Sequence, residues 1–389
     1  MNWPRVETET LPWSPAPDSY PRRAAKRVPR EYEAAVVPKI ATQPLRLSEE
    51  TRALVEQATV AVVRFDTTDA HRVVPFTPLL LRSESAASSR IEQLTSSARK
   101  VLEAEVTGRG RGNAALIAAN TRQMEAAVER ARASGDGIVE MHRILLTDSA
   151  PEIAGVLRSA QVWIGGSDYS PAGAMFVPPH QRHLGELMAD LGEFMARDDL
   201  PALAQAAIAH AQFETIHPFA DGNGRTGRAL VHVVLRERSL TTSSALPLSA
   251  GLLTDTAGYF AALDAYRGGD VDRIVQLFAR AAIDAAERGS WLAAELVALR
   301  EEWNEQLTAR ADALAWRVLE LLLQRPVLTT AAVSAEFGVS AETARNALER
   351  LEVDGIVISA QLDKRQRGWR SPDVLALLDE FADAAGRRG

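Results

Sequence analysis

The residues best suited to chemistry lie in one run of twelve, His217-Pro218-Phe219-Ala220-Asp221-Gly222-Asn223-Gly224-Arg225-Thr226-Gly227-Arg228. Gly222 and Gly224 lack a Cβ, so the backbone there can turn its N–H groups outward as a nest for an anion. A helix that begins within the run adds the positive end of its dipole. Arg225 and Arg228 are three positions apart, so both face one side of that helix and can hold phosphate oxygens.

Two more side chains of this run, which we call the signature loop, supply reactive groups. Asp221 offers a hard carboxylate oxygen of the kind that suits Mg²⁺ bound to phosphates. His217 stands at the entrance of the loop, where a neutral imidazole can take a proton from an incoming hydroxyl. A base, a metal ligand, an anion nest and two arginines together predict a phosphoryl- or nucleotidyl-transfer site.

The signature loop resembles the signature of the Fic/Doc family, HPFx[D/E]GNGRxxR, and matches it at every specified position. The resemblance implies a protein adenylyltransferase that moves AMP from Mg-ATP to a Ser, Thr or Tyr hydroxyl of another protein or of itself. It implies that His217 is the base, that Asp221 holds Mg²⁺, that Arg228 orients the γ-phosphate and that Phe219 anchors the loop. The implied ATP contacts are Gly222, Asn223, Gly224, Arg225, Thr226, Gly227 and Arg228.

The resemblance extends over roughly residues 45–285. The runs QVWIGG and AMFVPP predict a hairpin that resembles the family's flap, in which Val162, Trp163, Ile164 and Gly165 would pair with the backbone of the target protein. A hairpin with only a structural role is the alternative. Tyr259 falls where relatives carry an aromatic residue near adenine, and a core tyrosine is the alternative there. We expect His210 and His232 to support packing.

The segment Ser88-Ser89-Arg90-Ile91-Glu92-Gln93 resembles the family's inhibitory motif, [S/T]xxxE[G/N]. Ser88 and Glu92 are four positions apart, on one face of a predicted helix. The resemblance implies that Glu92 pairs with Arg228 and so keeps this arginine from the γ-phosphate of ATP. Gln93 departs from the motif, which has Gly or Asn at that position, so the end of the helix is expected to differ.

The elements around these motifs predict a mainly α fold with a small β-hairpin flap and a C-terminal winged helix-turn-helix. Eight prolines fall in residues 1–44, which predicts an extended arm without regular ladders. Trp3 and Trp13 are candidates to pin this arm to the body of the protein, and a partly disordered arm is the alternative. Helices are predicted over about 85–105, 184–195 and 201–216, and Ser48 is predicted to cap another. The predicted domains are the arm 1–44, an N-terminal helical region 45–113, the Fic core 114–285, a connector helix 286–324 and the winged-helix domain 325–389.

The winged-helix domain leaves two roles open. Thr343, Arg345 and Asn346 on its predicted recognition helix and a basic wing favour DNA binding. Between 326 and 372, however, six basic residues are offset by six acidic ones, which predicts weak DNA affinity and favours docking to a protein or homodimerisation. The basic residues are Arg345, Arg350, Lys364, Arg365, Arg367 and Arg370.

Composition narrows the class of protein. The chain has 389 residues, a net charge of −7 and no cysteine, which excludes disulfides and a thiolate nucleophile. Because no apolar run reaches about 20 residues and the N-terminus is polar, we expect no membrane partner and a cytoplasmic location. Two alternatives to adenylyl transfer remain: a Fic enzyme that removes AMP or transfers phosphate, and a DNA-binding regulator whose Fic domain senses nucleotide. The target protein is not predicted.

Overall fold

The computed structural model describes residues 3–14, 29–68, 74–108, 110–129, 132–167, 169–242, 244–362 and 366–386, which are mostly helical, as predicted. Contacts within the chain divide it into two units. Unit 1 comprises Met1–Val55, Glu129–Arg238 and Ala257–Phe278, and unit 2 comprises Glu56–Val128, Ser239–Thr256 and Ala279–Gly389. The bounds of these two units differ from the predicted domain boundaries, which stay a prediction.

Helices supply most of the structure and are numbered here in chain order. They are α1 (Glu49–Val63), α2 (Thr77–Ile91), α3 (Ala98–Thr107), α4 (Asn113–Glu129), α5 (Gly135–Leu146), α6 (Leu184–Met195), α7 (Ala202–Ile216), α8 (Asn223–Glu237), α9 (Leu248–Leu253), α10 (Thr256–Arg267), α11 (Val271–Gln306), α12 (Leu314–Leu322), α13 (Thr330–Phe337), α14 (Ala341–Val353) and α15 (Pro372–Gly386). The predicted helices at 184–195 and 201–216 are therefore present as α6 and α7. Ser48 caps α1, because its Oγ accepts the N–H of Thr51 at 3.2 Å.

The core of unit 1 is built around α7, which is buried at every position from Leu203 to Ile216. Its many alanines let neighbouring helices approach closely, and α8 packs along it. Two polar side chains tie other segments to this core: the Tyr266 hydroxyl donates to Gln212 at 2.8 Å, and Gln212 donates to the Pro38 carbonyl at 2.9 Å. The signature loop emerges from the C-terminal end of α7 and leads into α8.

The N-terminal arm contains a regular β-ladder, so the prediction that it has none was wrong. Strands β1 (Glu7–Pro12) and β2 (Glu31–Val36) pair antiparallel from Glu7↔Val36 to Pro12↔Glu31. Proline occurs only at the last position of β1, which explains how a proline-rich stretch still forms a ladder. The predicted tryptophan contacts are present: the ring of Trp3 lies 6.0 Å from that of Tyr266, and Trp13 packs edge-on to Trp163 at 5.5 Å. Residues 1–2 and 15–28 of the arm lie outside the described residues.

In unit 2, α2 packs against α9 and α15. The fully buried Glu84 of α2 accepts two hydrogen bonds of 2.6 Å from the backbone and hydroxyl of Ser249. A second carboxylate, Asp66, accepts from the backbone and hydroxyl groups of Thr242 and Ser244 at 2.7–2.8 Å. Both contacts join segments that are far apart in the sequence.

The helix predicted over 85–105 is two helices, α2 and α3, separated by residues 92–97. The break is a Schellman motif, in which the Leu94 N–H reaches the Ser89 carbonyl at 3.0 Å and the Gln93 N–H reaches that of Arg90 at 2.9 Å. Gln93 itself is left-handed, with φ 61°. The helix therefore ends as it would with Gly or Asn, contrary to the expectation that Gln93 changes the termination.

The predicted connector helix 286–324 is also divided: α11 begins at Val271 and ends at Gln306, and α12 follows separately. The winged helix-turn-helix is present beyond it. Gly338 ends α13 in a left-handed conformation, and the Ser340 Oγ caps α14 by accepting the Thr343 N–H at 3.1 Å. The strands β3 (Val327–Leu328), β4 (Ile358–Gln361) and β5 (Arg367–Arg370) form a sheet in the order β3-β5-β4. Lys364 and Arg365, at the tip of the predicted wing, lie outside the described residues.

Within the described part of the chain, no helix is both long enough and apolar enough to cross a membrane.

Candidate active site

His217 forms a sharp corner between α7 and the signature loop. It ends α7 with φ 49° and ψ 61°, a left-handed backbone conformation that residues other than glycine seldom adopt. Its N–H still bonds to the Phe213 carbonyl at 2.8 Å, so the corner is anchored to the helix. Backbone strain of this kind persists only where surrounding contacts hold it, and it is commonly found at functional sites.

Asn223 braces the loop from inside. Its Oδ1 accepts the Phe219 N–H at 3.0 Å, and its Nδ2 donates to the Phe219 carbonyl at 2.9 Å. Phe219 is fully buried, as predicted for the anchor of the loop. The sequence prediction placed Asn223 among the phosphate-holding residues, whereas both ends of its amide are engaged with the loop backbone.

His142 on α5 supports the loop from outside and was not identified from the sequence. Its Nδ1 accepts the Gly155 N–H at 2.9 Å, so Nε2 carries the proton and donates to the Asp221 carbonyl at 2.9 Å. The ring stacks on Phe219 with 3.7 Å between ring centroids. Burial lowers the pKa of His142 below its ordinary value of 6.5, which keeps the ring neutral in this role.

Arg158 is the second supporting residue that was missed. Its Nε donates to the His217 carbonyl at 2.9 Å, and its terminal nitrogens donate to the carbonyls of Ala160 and Pro179 at 3.1 and 2.5 Å. Burial lowers the pKa of Arg158 to about 10, so it remains charged near neutral pH. One guanidinium thus fixes the His217 corner and the base of the predicted flap together.

The anion-binding features predicted for the loop meet at the N-terminus of α8. Gly222 precedes the helix with φ 76°, and among the described residues no side chain caps this helix end. A Cβ at Gly222 would also approach Leu145 to 3.0 Å, so glycine is needed for both conformation and space. Arg225 lies 3.6 Å from Asp221, measured between Nη2 and Oδ2, and Asp221 is exposed. Arg228, on the same helix, is buried.

Thr226 and Gly227, which the resemblance places among the ATP contacts, are buried inside the helical packing. A Cβ at Gly227 would stand 2.8 Å from Oε1 of Glu214 and 2.9 Å from the ring of Phe213, both on α7. Gly227 therefore permits the close approach of α7 and α8. The local pattern of the signature does not distinguish a glycine needed for packing from one that makes room for a phosphate.

Tyr259 lies in the core of unit 1, with 2% of its surface exposed. Its hydroxyl and the Nε2 of His210 are 2.8 Å apart, and the His210 ring also packs against Phe278. His210 has the packing role that was expected of it. The adenine contact of Tyr259 stays a prediction, and this placement favours the alternative of a core tyrosine.

The predicted flap is a loop with two isolated antiparallel bridges, Ile164↔Phe176 and Ser167↔Ser170, rather than a hairpin with regular strands. The Ile164 N–H donates to the Phe176 carbonyl at 2.9 Å, and the Trp163 indole donates to the Ser167 carbonyl at 2.8 Å. Val162 and Trp163 are partly buried, whereas Ile164 and Gly165 are exposed. An exposed strand-like edge of this kind can pair with an extended peptide.

The predicted inhibitory segment, residues 88–93, lies in unit 2 at the end of α2, and we call it the inhibitory turn. Ser88 is fully buried, whereas Glu92 follows the last helical residue and is exposed. The arginine before it, Arg90, donates to the Ala382 carbonyl of α15 at 2.9 Å. The N–H of Ala98, where α3 begins, donates to the Asp379 carboxylate at 2.9 Å. Helix α15 therefore contacts the turn at Arg90 and the start of α3 after it.

With this geometry established, comparison with known proteins identifies two domains. Residues 133–235 match the Fic/DOC family, and residues 317–360 match the DeoR-like helix-turn-helix domain. The chain therefore contains a Fic/Doc domain, which includes the signature loop, and a helix-turn-helix domain at its C-terminal end.

Individual relatives agree with this identification. Over 148 residues, or 37% of this chain, it is 32% identical to protein adenylyltransferase fic-1 of Caenorhabditis briggsae and 31% identical to protein adenylyltransferase Fic of Nematostella vectensis. The chain spans only 26% and 31% of the lengths of these two relatives. A crystal structure of a Fic family protein from Desulfovibrio desulfuricans shares the fold, with a TM-score of 0.56 and 23% identity over 85% of this chain and 98% of that one.

Proposed function

We propose that the protein is an adenylyltransferase that moves AMP from Mg-ATP to a hydroxyl side chain of a protein, including its own chain. One observation carries the proposal: His217 is held at a strained corner, and the short loop after it leads into a helix N-terminus that no described side chain caps and where Asp221 and Arg225 lie 3.6 Å apart. Such a helix end attracts phosphate, and a histidine on the same loop is suited to activate an acceptor hydroxyl. The adenylyltransferase names of the partial relatives support the same reaction.

In the proposed step, His217 takes the proton of the acceptor hydroxyl as its oxygen attacks the α-phosphorus of ATP. The new oxygen–phosphorus bond forms while the bond from the α-phosphorus to the bridging oxygen breaks, and pyrophosphate leaves. Arg225, Arg228 and the N–H groups at the start of α8 would hold the negative charge that develops on the phosphates.

Asp221 fits the role of a magnesium ligand. Its carboxylate is exposed at the start of α8, and Mg²⁺ in nucleotide sites is commonly held by one or two carboxylates together with phosphate oxygens. When bound, the ion would neutralise phosphate charge and fix the triphosphate. Among the described residues no group of three or more His, Cys, Asp or Glu side chains forms a separate metal site.

The flap would select the acceptor. Ile164 and Gly165 are exposed at one edge of the flap, and the bridge between Ile164 and Phe176 closes the flap beside them. A target segment pairing with that edge would bring its Ser, Thr or Tyr hydroxyl to His217 by backbone hydrogen bonds, with little demand on its sequence.

The location that we propose is the cytoplasm, where Mg-ATP is available to the reaction.

We also propose that Glu92 inhibits the reaction by pairing with Arg228. The support is the match to the inhibitory motif and the Schellman motif, which ends α2 so that Glu92 is exposed. Carboxylate–guanidinium pairs are strong enough to compete with a phosphate for the arginine. In this proposal, ATP binds in an unproductive pose until Glu92 is removed or displaced.

The reaction is tested by intact-protein mass spectrometry after incubation with Mg-ATP. We expect the mass of the chain to increase by one AMP on a hydroxyl residue, and we expect no increase in His217→Ala. An increase by one phosphate instead would identify a phosphotransferase. Loss of AMP from a pre-modified protein, without any gain, would identify the AMP-removing alternative.

The helix-turn-helix match favours a second candidate, a DNA-binding regulator whose Fic domain senses nucleotide. Thr343, Arg345 and Asn346 are exposed on α14, as DNA recognition requires. Three basic residues of the module, however, lie against carboxylates: Arg350 with Asp354, Arg367 with Glu352 and Arg370 with Glu103. Because these pairs reduce the charge available to DNA phosphates, docking to protein or homodimerisation is the role we favour. Gel-shift experiments with and without ATP separate the two candidates.

A further inference from the structure

We propose that Glu214 is a positioning residue for His217, which holds a proton on Nδ1 and leaves Nε2 as the nitrogen that accepts the proton of the acceptor hydroxyl. The inference rests on the proposed function, in which His217 is the base. Glu214 is absent from the Fic signature, which begins at His217.

The geometry places the carboxylate on one side of the imidazole. Glu214 stands one turn before His217 on α7, and its Oε2 lies 3.8 Å from Nδ1 of His217. The side chain of Glu214 is 8% exposed and that of His217 is 19% exposed. This distance is longer than a hydrogen bond, and the contact becomes an ion pair only when His217 is protonated. Catalytic hydrogen bonds are often long before substrate binds and shorten in the complex.

The position of the carboxylate is fixed by the packing of α7 against α8. Gly227 leaves room for it, since a Cβ there would come within 2.8 Å of Oε1 of Glu214. The backbone of His217 is fixed as well, because it forms a left-handed corner and Arg158 donates to its carbonyl. A buried carboxylate and a partly buried imidazole therefore lie near each other on constrained backbone, and this preorganisation is what a positioning contact needs.

Other charged and titratable groups lie on the elements around the pair. They are His210 on α7, Arg225 and Arg228 on α8, Tyr259 and Arg267 on α10, and Arg158 before the flap. Burial lowers the pKa of Arg267, and the nearby carboxylates of Asp264 and Glu214 oppose that shift.

Two consequences follow for His217. A carboxylate beside Nδ1 favours the tautomer that is protonated there, as the third member of a catalytic triad does for its histidine. It also stabilises the imidazolium that forms when Nε2 accepts the proton. Removing the carboxylate should therefore both lower the rate and shift the titration of His217 to lower pH.

The test uses Glu214→Gln in the full chain, with Thr215→Val as the matched control. Thr215 is the next residue on α7 and is also buried, and its hydroxyl bonds to the Ala211 carbonyl within the helix. For Glu214→Gln we expect kcat for AMP transfer to fall about tenfold or more, with KM for ATP unchanged. The acidic limb of the pH–rate profile should move to lower pH by about one pH unit. Thr215→Val should change neither quantity.

A second measurement does not depend on turnover. Nitrogen-15 NMR of histidine-labelled protein, with His217→Ala to assign the signal, reports the tautomer and the titration midpoint of His217. We expect the Nδ1-protonated tautomer in the parent and a lower midpoint in Glu214→Gln. An Nε2-protonated tautomer in the parent overturns the inference even if the variant does not fold, and so does an unchanged midpoint.

The two readouts distinguish failure of the inference from failure of the proposed function. If the parent transfers no AMP but the His217 signal responds to Glu214, the reaction is wrong and the positioning contact stands. If AMP is transferred and the signal is the same in parent and variant, the reaction stands and the positioning role is wrong.

Discussion

The signature loop and the inhibitory turn each contain a residue other than glycine in the left-handed conformation at a helix end. His217 has φ 49° at the end of α7, and Gln93 has φ 61° just beyond the end of α2. The surroundings of the two residues differ. The His217 corner is held by Arg158, while Asn223 and His142 brace the loop that follows it. Gln93 is exposed, and its N–H bonds to the Arg90 carbonyl as part of a Schellman motif.

The same backbone conformation therefore has two causes. At His217, the buried guanidinium of Arg158 holds a strained corner that presents a reactive side chain. At Gln93, helix termination alone requires the conformation, and glycine would satisfy that requirement better. Substitutions in the loop should thus reduce activity or stability, whereas substitutions in the turn should be tolerated or beneficial. Four predictions test this contrast, in order of decreasing effect.

The largest effect is expected at the corner itself. His217→Ala removes the proposed base, and general bases typically contribute about 10²–10⁴-fold to a rate. We expect AMP transfer to fall by that factor while ATP binding, measured by calorimetry, is nearly unchanged. Transfer near the parental rate would remove His217 from the mechanism.

The second prediction concerns the turn. Glu92→Gly should raise AMP transfer, because Arg228 would become available to the γ-phosphate. Adding Arg228→Ala to this variant should lower the activity again, and the double-mutant cycle measures whether the two residues act through each other. If Glu92→Gly is no more active than the parent, the inhibitory turn is an ordinary helix end.

The third prediction concerns the brace of the loop. Asn223→Ala leaves the buried N–H and carbonyl of Phe219 without partners, which should lower the free energy of unfolding by about 1–3 kcal/mol. Asn223→Asp keeps the hydrogen-bond acceptor and loses the donor, so its free energy of unfolding should lie between those of the parent and the alanine variant. Denaturant unfolding measures both, and an unchanged midpoint in Asn223→Ala would contradict the bracing role.

The smallest effect is expected at Gln93. Gln93→Gly should stabilise the protein by about 1 kcal/mol, because glycine adopts a positive φ without the Cβ clash of glutamine. Gln93→Ala keeps the clash and serves as the control, with little expected change. If Gln93→Gly is less stable than the parent, the glutamine side chain stabilises the folded protein despite its exposure.

The sequence predicted the mainly helical fold, the winged helix and the position of the signature loop, because each of these depends on residues close together in the chain. His142 and Arg158 were missed for the opposite reason. They contact the loop from α5 and from the segment before the flap, and nothing in their local sequence separates them from other buried or surface residues. For His142 the sequence shows only that it stands among apolar residues such as Met141 and Leu145, which predicts burial but no role in the site.

Roles within the signature were harder to predict than its existence. A glycine required for helix packing, such as Gly227, has the same local pattern as one that approaches a phosphate. The ladder of the N-terminal arm was missed because the count of prolines was considered without their positions, which leave β1 and β2 almost proline-free. The role of Gly227 depends on the distance between two helices, which spacing along the chain does not report, whereas the positions of the prolines could have been read from the sequence.

The central claim is that the transferred group is AMP, and labelled ATP tests it most directly. The parent protein and Glu92→Gly would be incubated with Mg²⁺ and ATP labelled on either the α- or the γ-phosphate, with His217→Ala as the control. We predict that α-label becomes attached to protein, more strongly in Glu92→Gly, that γ-label does not, and that His217→Ala acquires neither. Attachment of γ-label to protein, or no label on either the parent protein or Glu92→Gly, would contradict the proposed function.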